Sequence, residues 1–345
     1  MTTLIKPCLD CNLRCKYCYQ AKKRDNKFDI DTVINTIKNE YQDRKSCGQE
    51  CHLVLHGGEP LILGHKNVER ILKEMHDNEE KSSIQTNGTL IDNIYIDMFK
   101  KYNTHIGISI DGHGKLNMLR CNEKMTEKLL NTIDILLDKD IHCNILSVIH
   151  QANAGTDELF DEFINFINSM IDKGLRGGMN FVTANSGYAL SVDRSKVVAR
   201  KMAVNLFDKG VTREWFPFKD VINSLKNDNG VVCIFQECDV YHTRCADVIL
   251  GDGEHTNCLR GEKYLRHPIH TNTRTEILSK VLKEHGGCKG CKYFKNCYGG
   301  CPTNTTDWRL KDYYCELWYS LFEFYDKQIN TFTTVNNNIN AKCRY

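Results

Sequence analysis

The 345-residue chain carries no apolar run near the roughly 18–20 residues that a membrane span requires. It has little charge of one sign to spare either: 46 Lys and Arg stand against 44 Asp and Glu, a formal +2. That balance removes any general case for a nucleic-acid or other polyanion partner. The amino-terminal stretch Met1, Thr2, Thr3, Leu4, Ile5, Lys6, Pro7 lacks the apolar core of an export signal, so a reducing cytoplasm is the expected location. There is no internal repeat, no low-complexity linker and no biased tail beyond the Asn-rich stretch 336–340. What remains, 41% hydrophobic and 26% charged residues, is ordinary globular composition at a length that suggests roughly two domains.

Cysteine is the abundant residue. Eighteen are present, too few per length for a disulfide scaffold and out of place as disulfides in reducing surroundings. They are not scattered: Cys8, Cys11, Cys15 and Cys18 crowd the amino terminus, and nine lie between Cys233 and Cys315. Clustering at both ends points to metal. Cys8, Cys47, Cys51, Cys121, Cys143 and Cys343 are most simply buried or incidental thiols.

Short apolar runs alternate with helical patterns through the first half. The runs at Thr3–Lys6, His52–His56, Ser82–Gln85, His105–Ile110, Cys143–His150 and Gly178–Thr183 read as strands. Between them, Asp31–Lys45, Asn67–His76, Asp92–Lys101, Met125–Leu137 and Asp157–Lys173 place apolar residues at helical spacing. Such repeats predict an α/β fold with a parallel sheet, either open or curled toward a barrel. Beyond Thr183, Ser195–Asp208 and Lys219–Lys226 read as helices. The stretch from Cys233 to Cys315 has weak periodicity and many glycines, so bound metal is expected to supply its crosslinks. A helix over about Tyr313–Thr331 is expected to close the chain. The expected division is 1–215, a helical bridge over 216–232, and 233–345.

Cys11, Cys15 and Cys18 form a Cys-x3-Cys-x2-Cys triad just after the first strand. Three thiolates can hold one corner of a compact centre and leave one coordination position open. Structural zinc and closed iron–sulfur clusters both take four ligands. The triad is therefore a reactive site, or a zinc knuckle completed by Cys8.

With Tyr17 before its last cysteine, the triad resembles the signature of radical S-adenosylmethionine (radical SAM) enzymes. The likeness continues in order: His56-Gly57-Gly58-Glu59-Pro60 after the second strand, Gln85-Thr86-Asn87-Gly88 after the third, Ser109-Ile110-Asp111-Gly112 ending the fourth, with Arg120 beyond. The resemblance implies a partial (β/α)6 barrel of TIM type with its site at the C-terminal edge of the sheet. It implies that Cys11, Cys15 and Cys18 hold a [4Fe–4S] cluster whose remaining iron binds S-adenosylmethionine (SAM), and that cleavage yields a 5′-deoxyadenosyl radical that abstracts a substrate hydrogen. Tyr17, Gly57, Gly58, Glu59, Asn87, Ser109 and Arg120 are the implied SAM contacts, Gly58 by close backbone approach and Arg120 through the SAM carboxylate. His56, Asp111 and Cys121 are pocket candidates for a catalytic role. Asp111 also suits a turn cap with Gly112.

Downstream, Cys288-x2-Cys291-x5-Cys297-x3-Cys301-x13-Cys315, preceded by Cys238 and Gly253-x4-Cys258, resembles the SPASM domain, a small irregular module with two auxiliary [4Fe–4S] clusters. The resemblance assigns Cys288, Cys291, Cys297 and Cys315 to the outer cluster. Cys301 would join Cys258, Cys238 and a further thiol at the nearer one. Cys245 is preferred for that place over its rival Cys233, because the strand-like Ala246–Leu250 follows it. Three clusters and SAM are thus the expected cofactors.

Enzymes of this kind mostly modify peptides or proteins, by crosslink, thioether, epimerisation or oxidation. A branch oxidises small molecules such as aminosugars and is the alternative. In anaerobic sulfatase-maturing enzymes an Asp general base follows the Cys that matches Cys258. Here Leu259 follows, which disfavours formylglycine formation by that route. The expected partners are a peptide or small protein substrate, a low-potential flavodoxin- or ferredoxin-type electron donor and a separate leader-peptide-binding protein, since Cys11 follows the start closely. Neither a nucleic acid nor a membrane is expected, and a cobalamin domain has no place to sit.

Overall fold

The computed structural model describes residues 2–20, 27–226, 237–239, 247–256, 258 and 272–342. The chain divides into two compact units, one of residues 1–189 and 240–271, the other of 190–239 and 272–345.

The first unit is built on β1 (Thr2–Lys6), β2 (His52–Leu55), β3 (Ser82–Thr86), β4 (Thr104–Ser109), β5 (Cys143–Ile149) and β6 (Arg176–Phe181), hydrogen-bonded to their neighbours in chain order and all parallel. Strand β8 (Asp247–Leu250) pairs in parallel with the free side of β1, Thr3 opposite Asp247, and β9 (His255–Thr256) adds an antiparallel edge. Parallel strands need crossovers, and these are helical: α1 (Ile30–Ser46), α2 (His65–Glu79), α3 (Asn93–Lys101), α4 (Glu123–Asp138) and α6 (Asp157–Asp172), with a single turn, α5 (Gln151–Ala154), before the last. Their starts are set by side chains that take up orphan amides: Asp29, Asp92, Asn122 and Thr156 each accept from a backbone N–H of the first turn. On α6, Phe160, Phe163, Phe166 and Ile167 of the stripe that the spacing predicts are buried, together with Met170, while Leu159 is half-buried. Along β5 burial alternates with the two-residue pleat.

The second unit holds α7 (Val192–Asp208), the two-residue β7 (Trp215–Phe216), α8 (Phe218–Leu225), α9 (Arg274–Lys280), the short α10 (Phe294–Cys297) and α11 (Cys315–Lys342). Helix α11 packs along α7 and α8, with the Arg200 guanidinium 4.2 Å from the centre of the Phe324 ring. Helix α11 runs further than the expected Tyr313–Thr331.

Candidate active site

Beyond Lys6 the chain turns through residues 7–20, which carry the cysteine triad and form no helix or strand. Neighbouring loops give this segment its shape. Gly58 N donates to Cys8 O (2.9 Å) and Glu59 N to Asp10 O (2.8 Å), so the turn after β2 lies against it. A Cβ on Gly58 would stand 2.0 Å from Asp10 O and 2.4 Å from Leu9 O, and one on Gly57 2.5 Å from Cys8 O. No side chain fits there. The glycine pair is needed for contact between the two loops, whatever else approaches it.

Glu59 is fully buried and stands behind the cavity rather than on its wall. Its carboxylate accepts from Thr86 Oγ1 (2.6 Å), Asn87 N (2.7 Å) and Leu61 N (3.1 Å), tying the ends of β2 and β3. Asn87 then reaches the triad: its Nδ2 donates to Asn12 Oδ1 (2.9 Å) and lies 3.7 Å from Cys11 Sγ. From the β4 side, Lys16 N donates to Leu119 O (2.8 Å). Tyr17 donates its hydroxyl proton to Asp111 and accepts from Arg120 Nη1 (2.8 Å). Asp111, with no exposure, also accepts from Val148 N (2.8 Å). The fully buried His150 packs on Tyr17, ring centres 5.2 Å apart, with Nε2 3.5 Å from the Asp111 carboxylate. Burial holds the Tyr17 hydroxyl well above its ordinary pKa, so it stays a donor.

These loops enclose a cavity of about 320 Å³ at the C-terminal edge of the sheet, within the size range of small-molecule sites. Of the residues singled out from sequence, Cys11, Cys15, Tyr17, Cys18, His56, Gly57, Gly58, Asn87, Ser109, Arg120 and Cys258 line it. Ser109 accepts from Gln85 Nε2 at 2.9 Å. Asp111 and Cys121 stand outside the lining. Asp111 is spent on Tyr17 and Val148, and the Cys121 thiol is turned to Asn117 Nδ2 (3.3 Å) and Thr126 Oγ1 (3.5 Å).

The sulfur spacing tests the metal. Four thiolates on one zinc ion lie about 3.8 Å apart, from Zn–S bonds of about 2.3 Å in a tetrahedron. Among the described residues, the only three potential ligand atoms mutually within 4.8 Å are on Glu40, Asp247 and His255. No three cysteines meet that limit, and Cys8 is buried away from the cavity. The triad nonetheless acts as one electrostatic group: burial, with Asp111 and the charges of Cys18 and Cys11, pushes the Cys15 thiol up to about 11 against the pull of Arg120. A wider, positively charged centre fits this donor set, and a four-iron cluster is such a centre.

In the second unit Cys288, Cys291, Cys297 and Cys315 are likewise electrostatic neighbours, and burial pushes Cys297 up to about 12. Cys238 and Cys301 belong to this unit and Cys258 to the first. Cys233 and Cys245 lie outside the described residues. The Cys297–Cys301 turn is held by a residue that sequence reading passed over. Arg274, 1% exposed, donates five hydrogen bonds of 2.8–3.0 Å to the carbonyls of Tyr298, Gly299, Gly300, Trp308 and Leu310. Lys6 and His150 were also missed. The signal for Lys6 was available: a cation closing an otherwise uncharged strand.

Comparison with known proteins gives these features a family. Residues 5–168 match the radical SAM superfamily model. The chain is 30% identical over 329 residues to the serine-type anaerobic sulfatase-maturating enzyme of Klebsiella aerogenes, covering 85% of this chain and 77% of that one. It is 24% identical to the cysteine-type enzyme of Clostridium perfringens, covering 98% and 99%. Among solved structures, native anSMEcpe with bound AdoMet and Cp18Cys peptide aligns with TM-score 0.74 at 21% identity, over 98% of this chain and 99% of that one. Streptococcus suis SuiB bound to S-adenosylmethionine aligns with TM-score 0.60 at 16% identity, over 90% and 76%. The chain belongs to the radical SAM superfamily, close to its anaerobic sulfatase-maturating enzymes, and its α/β sheet is the partial barrel of that fold.

Proposed function

We propose that this enzyme modifies a peptide or small protein by SAM-dependent radical chemistry, with Cys11, Cys15 and Cys18 as the ligands of the cluster that binds SAM. The observation that carries this reading is the triad itself. Three half-buried thiols, whose sulfurs do not all lie within 4.8 Å of one another, open into a cavity walled by Gly57, Gly58, Asn87, Ser109 and Arg120. When bound, cluster and SAM supply one-electron reductive cleavage and hydrogen-atom abstraction.

The protein's own residues bind and orient. Arg120, its guanidinium set by Tyr17, offers a charge-assisted contact to a carboxylate, and Ser109 and Asn87 offer polar contacts. His56 lines the cavity and its Nδ1 accepts from Gly57 N (2.7 Å), which fixes the ring in place. Cys288, Cys291, Cys297 and Cys315 would hold one auxiliary cluster. Cys238, Cys258 and Cys301 are assigned to a second by the resemblance to SPASM domains, with Cys245 or Cys233 as the further thiol. The electron donor would be a low-potential flavodoxin or ferredoxin. Leu259 after Cys258 argues for an outcome other than base-assisted formylglycine formation.

The test is anaerobic reconstitution followed by incubation with SAM and dithionite. The reading requires about twelve irons per chain, release of 5′-deoxyadenosine, and loss of that release in Cys15→Ala. Protein that binds zinc and leaves SAM intact would refute it.

A further inference from the structure

Lys6 closes β1 with 2% of its surface exposed, and it lines the cavity. An ammonium has three donors. One goes to Tyr19 Oη at 3.2 Å. A second reaches Gln20, whose amide, oriented to donate to Gly57 O (3.0 Å), offers its oxygen to Nζ at 3.2 Å. Both acceptors are neutral. Among the described residues no carboxylate pairs with Lys6, and its third donor has no acceptor. Burying a cation without an opposite charge is costly unless something in the site supplies one.

Arg120, the other cation on the cavity wall, is differently placed. It lies beyond β4, three strand spacings or about 14 Å along the sheet from β1. It also has an opposite charge, Asp111 Oδ1 at 3.9 Å. Lys6 instead shares its part of the wall with Tyr19, Gln20 and, on the strand paired to β1, Val248. Among the described residues the cavity wall thus carries two separated cations, and only one of them has a carboxylate partner.

We propose that Lys6 is a carboxylate-recognition point for the substrate, so that the peptide presents an acidic side chain or a terminal carboxylate at the β1 wall. This rests on the peptide-modifying reading above and narrows its substrate class. The anion sought is one carboxylate. SAM carries one too, and the experiment separates the two sources.

The reconstituted enzyme is titrated with acetyl-Ala-Glu-Ala-amide and with its neutral match, acetyl-Ala-Gln-Ala-amide, by ligand-observed NMR in the presence of SAM. SAM affinity is measured in parallel. The wild type should bind the Glu peptide about tenfold more tightly, as a charge-assisted hydrogen bond implies. Lys6→Met should erase that preference and leave SAM affinity within about twofold. Lys6→Arg keeps the charge and should keep the preference, which covers the case of a Met variant that does not fold. Equal binding of the two peptides by the wild type overturns the proposal. So does a Lys6→Met variant that loses SAM affinity about tenfold while still preferring Glu, because the carboxylate is then SAM's. An enzyme that cleaves SAM yet fails to discriminate the peptides loses this inference and keeps the parent reading. Failure to cleave SAM removes the parent reading itself.

Discussion

Tyr17, within the cysteine triad, donates to Asp111, a carboxylate 94 positions away with no exposure to solvent. Through that bond and the one it accepts from Arg120, the phenol couples the triad loop to the end of β4. Tyr17→Phe keeps the ring against His150 but leaves Asp111 and Arg120 each short of a partner. The expected cost is about 1–3 kcal/mol, read by urea denaturation of the metal-free protein. Unchanged stability would mean that the bond is not formed in solution.

Gly58→Ala should fail for steric reasons. Its Cβ would stand 2.0 Å from Asp10 O, so the triad loop must move. Reconstituted iron should fall well below that of the parent. Gly187→Ala, with nothing within 4 Å of its Cβ, should reconstitute like the parent. Equal iron in both variants would show that the loop contact does not shape the site.

Burial raises the Glu59 carboxyl above its ordinary 4.5, against the hydrogen bonds from Asn87, Thr86 and Leu61 that lower it. A carboxyl with a raised folded-state pKa holds its proton longer than the unfolded chain does. Its contribution is therefore fully present below the unfolded pKa and is lost as pH rises through the folded one. Glu59→Gln has no proton to lose. The stability advantage of the wild type over this variant should shrink as pH rises from 4.5 towards neutrality, measured by urea denaturation at each pH. An advantage that grows with pH would show that the hydrogen bonds outweigh burial.

Arg274→Met removes five donors at once and leaves the carbonyls around the Cys297–Cys301 turn each short of one, although Gly299 O still accepts from Asp312 N (2.8 Å). A loss of at least about 3 kcal/mol is expected, with protease sensitivity gained in the cysteine-rich region. Proteolysis unchanged from the wild type would remove Arg274 from its place in this turn.

Much of the site was legible because its chemistry lies in short local patterns. His56 to Pro60, Gln85 to Gly88 and Ser109 to Gly112 each sit where a strand ends, and a strand end can be read from a few residues. The six parallel strands were legible for the same reason. Sequence could not show how residues distant in the chain use one another. Glu59, expected beside the cofactor, is consumed by three donors from the next loop and from its own. Cys121, a candidate by its place after Arg120, is turned away by Asn117 and Thr126. The strand character before Leu250 was visible, but not its pairing with β1, which depends on contacts across 244 positions. In the cysteine-rich half, metal was expected to provide the crosslinks. Arg274 provides several without metal, and a lone arginine carries no periodic signal.

The pairing of β1 with β8 also sets an order in time. As it leaves the ribosome, β1 keeps one edge open until Asp247 to Leu250 have been made. At ordinary rates of synthesis that delay is about 12–50 s. Until then the cavity lacks the wall that carries Val248 and Cys258. A nascent chain can expose its three amino-terminal thiols long before it can shelter them. The shelter of the triad is thereby deferred until more than two thirds of the chain has been made, when the strand that completes the cavity wall beside β1 arrives.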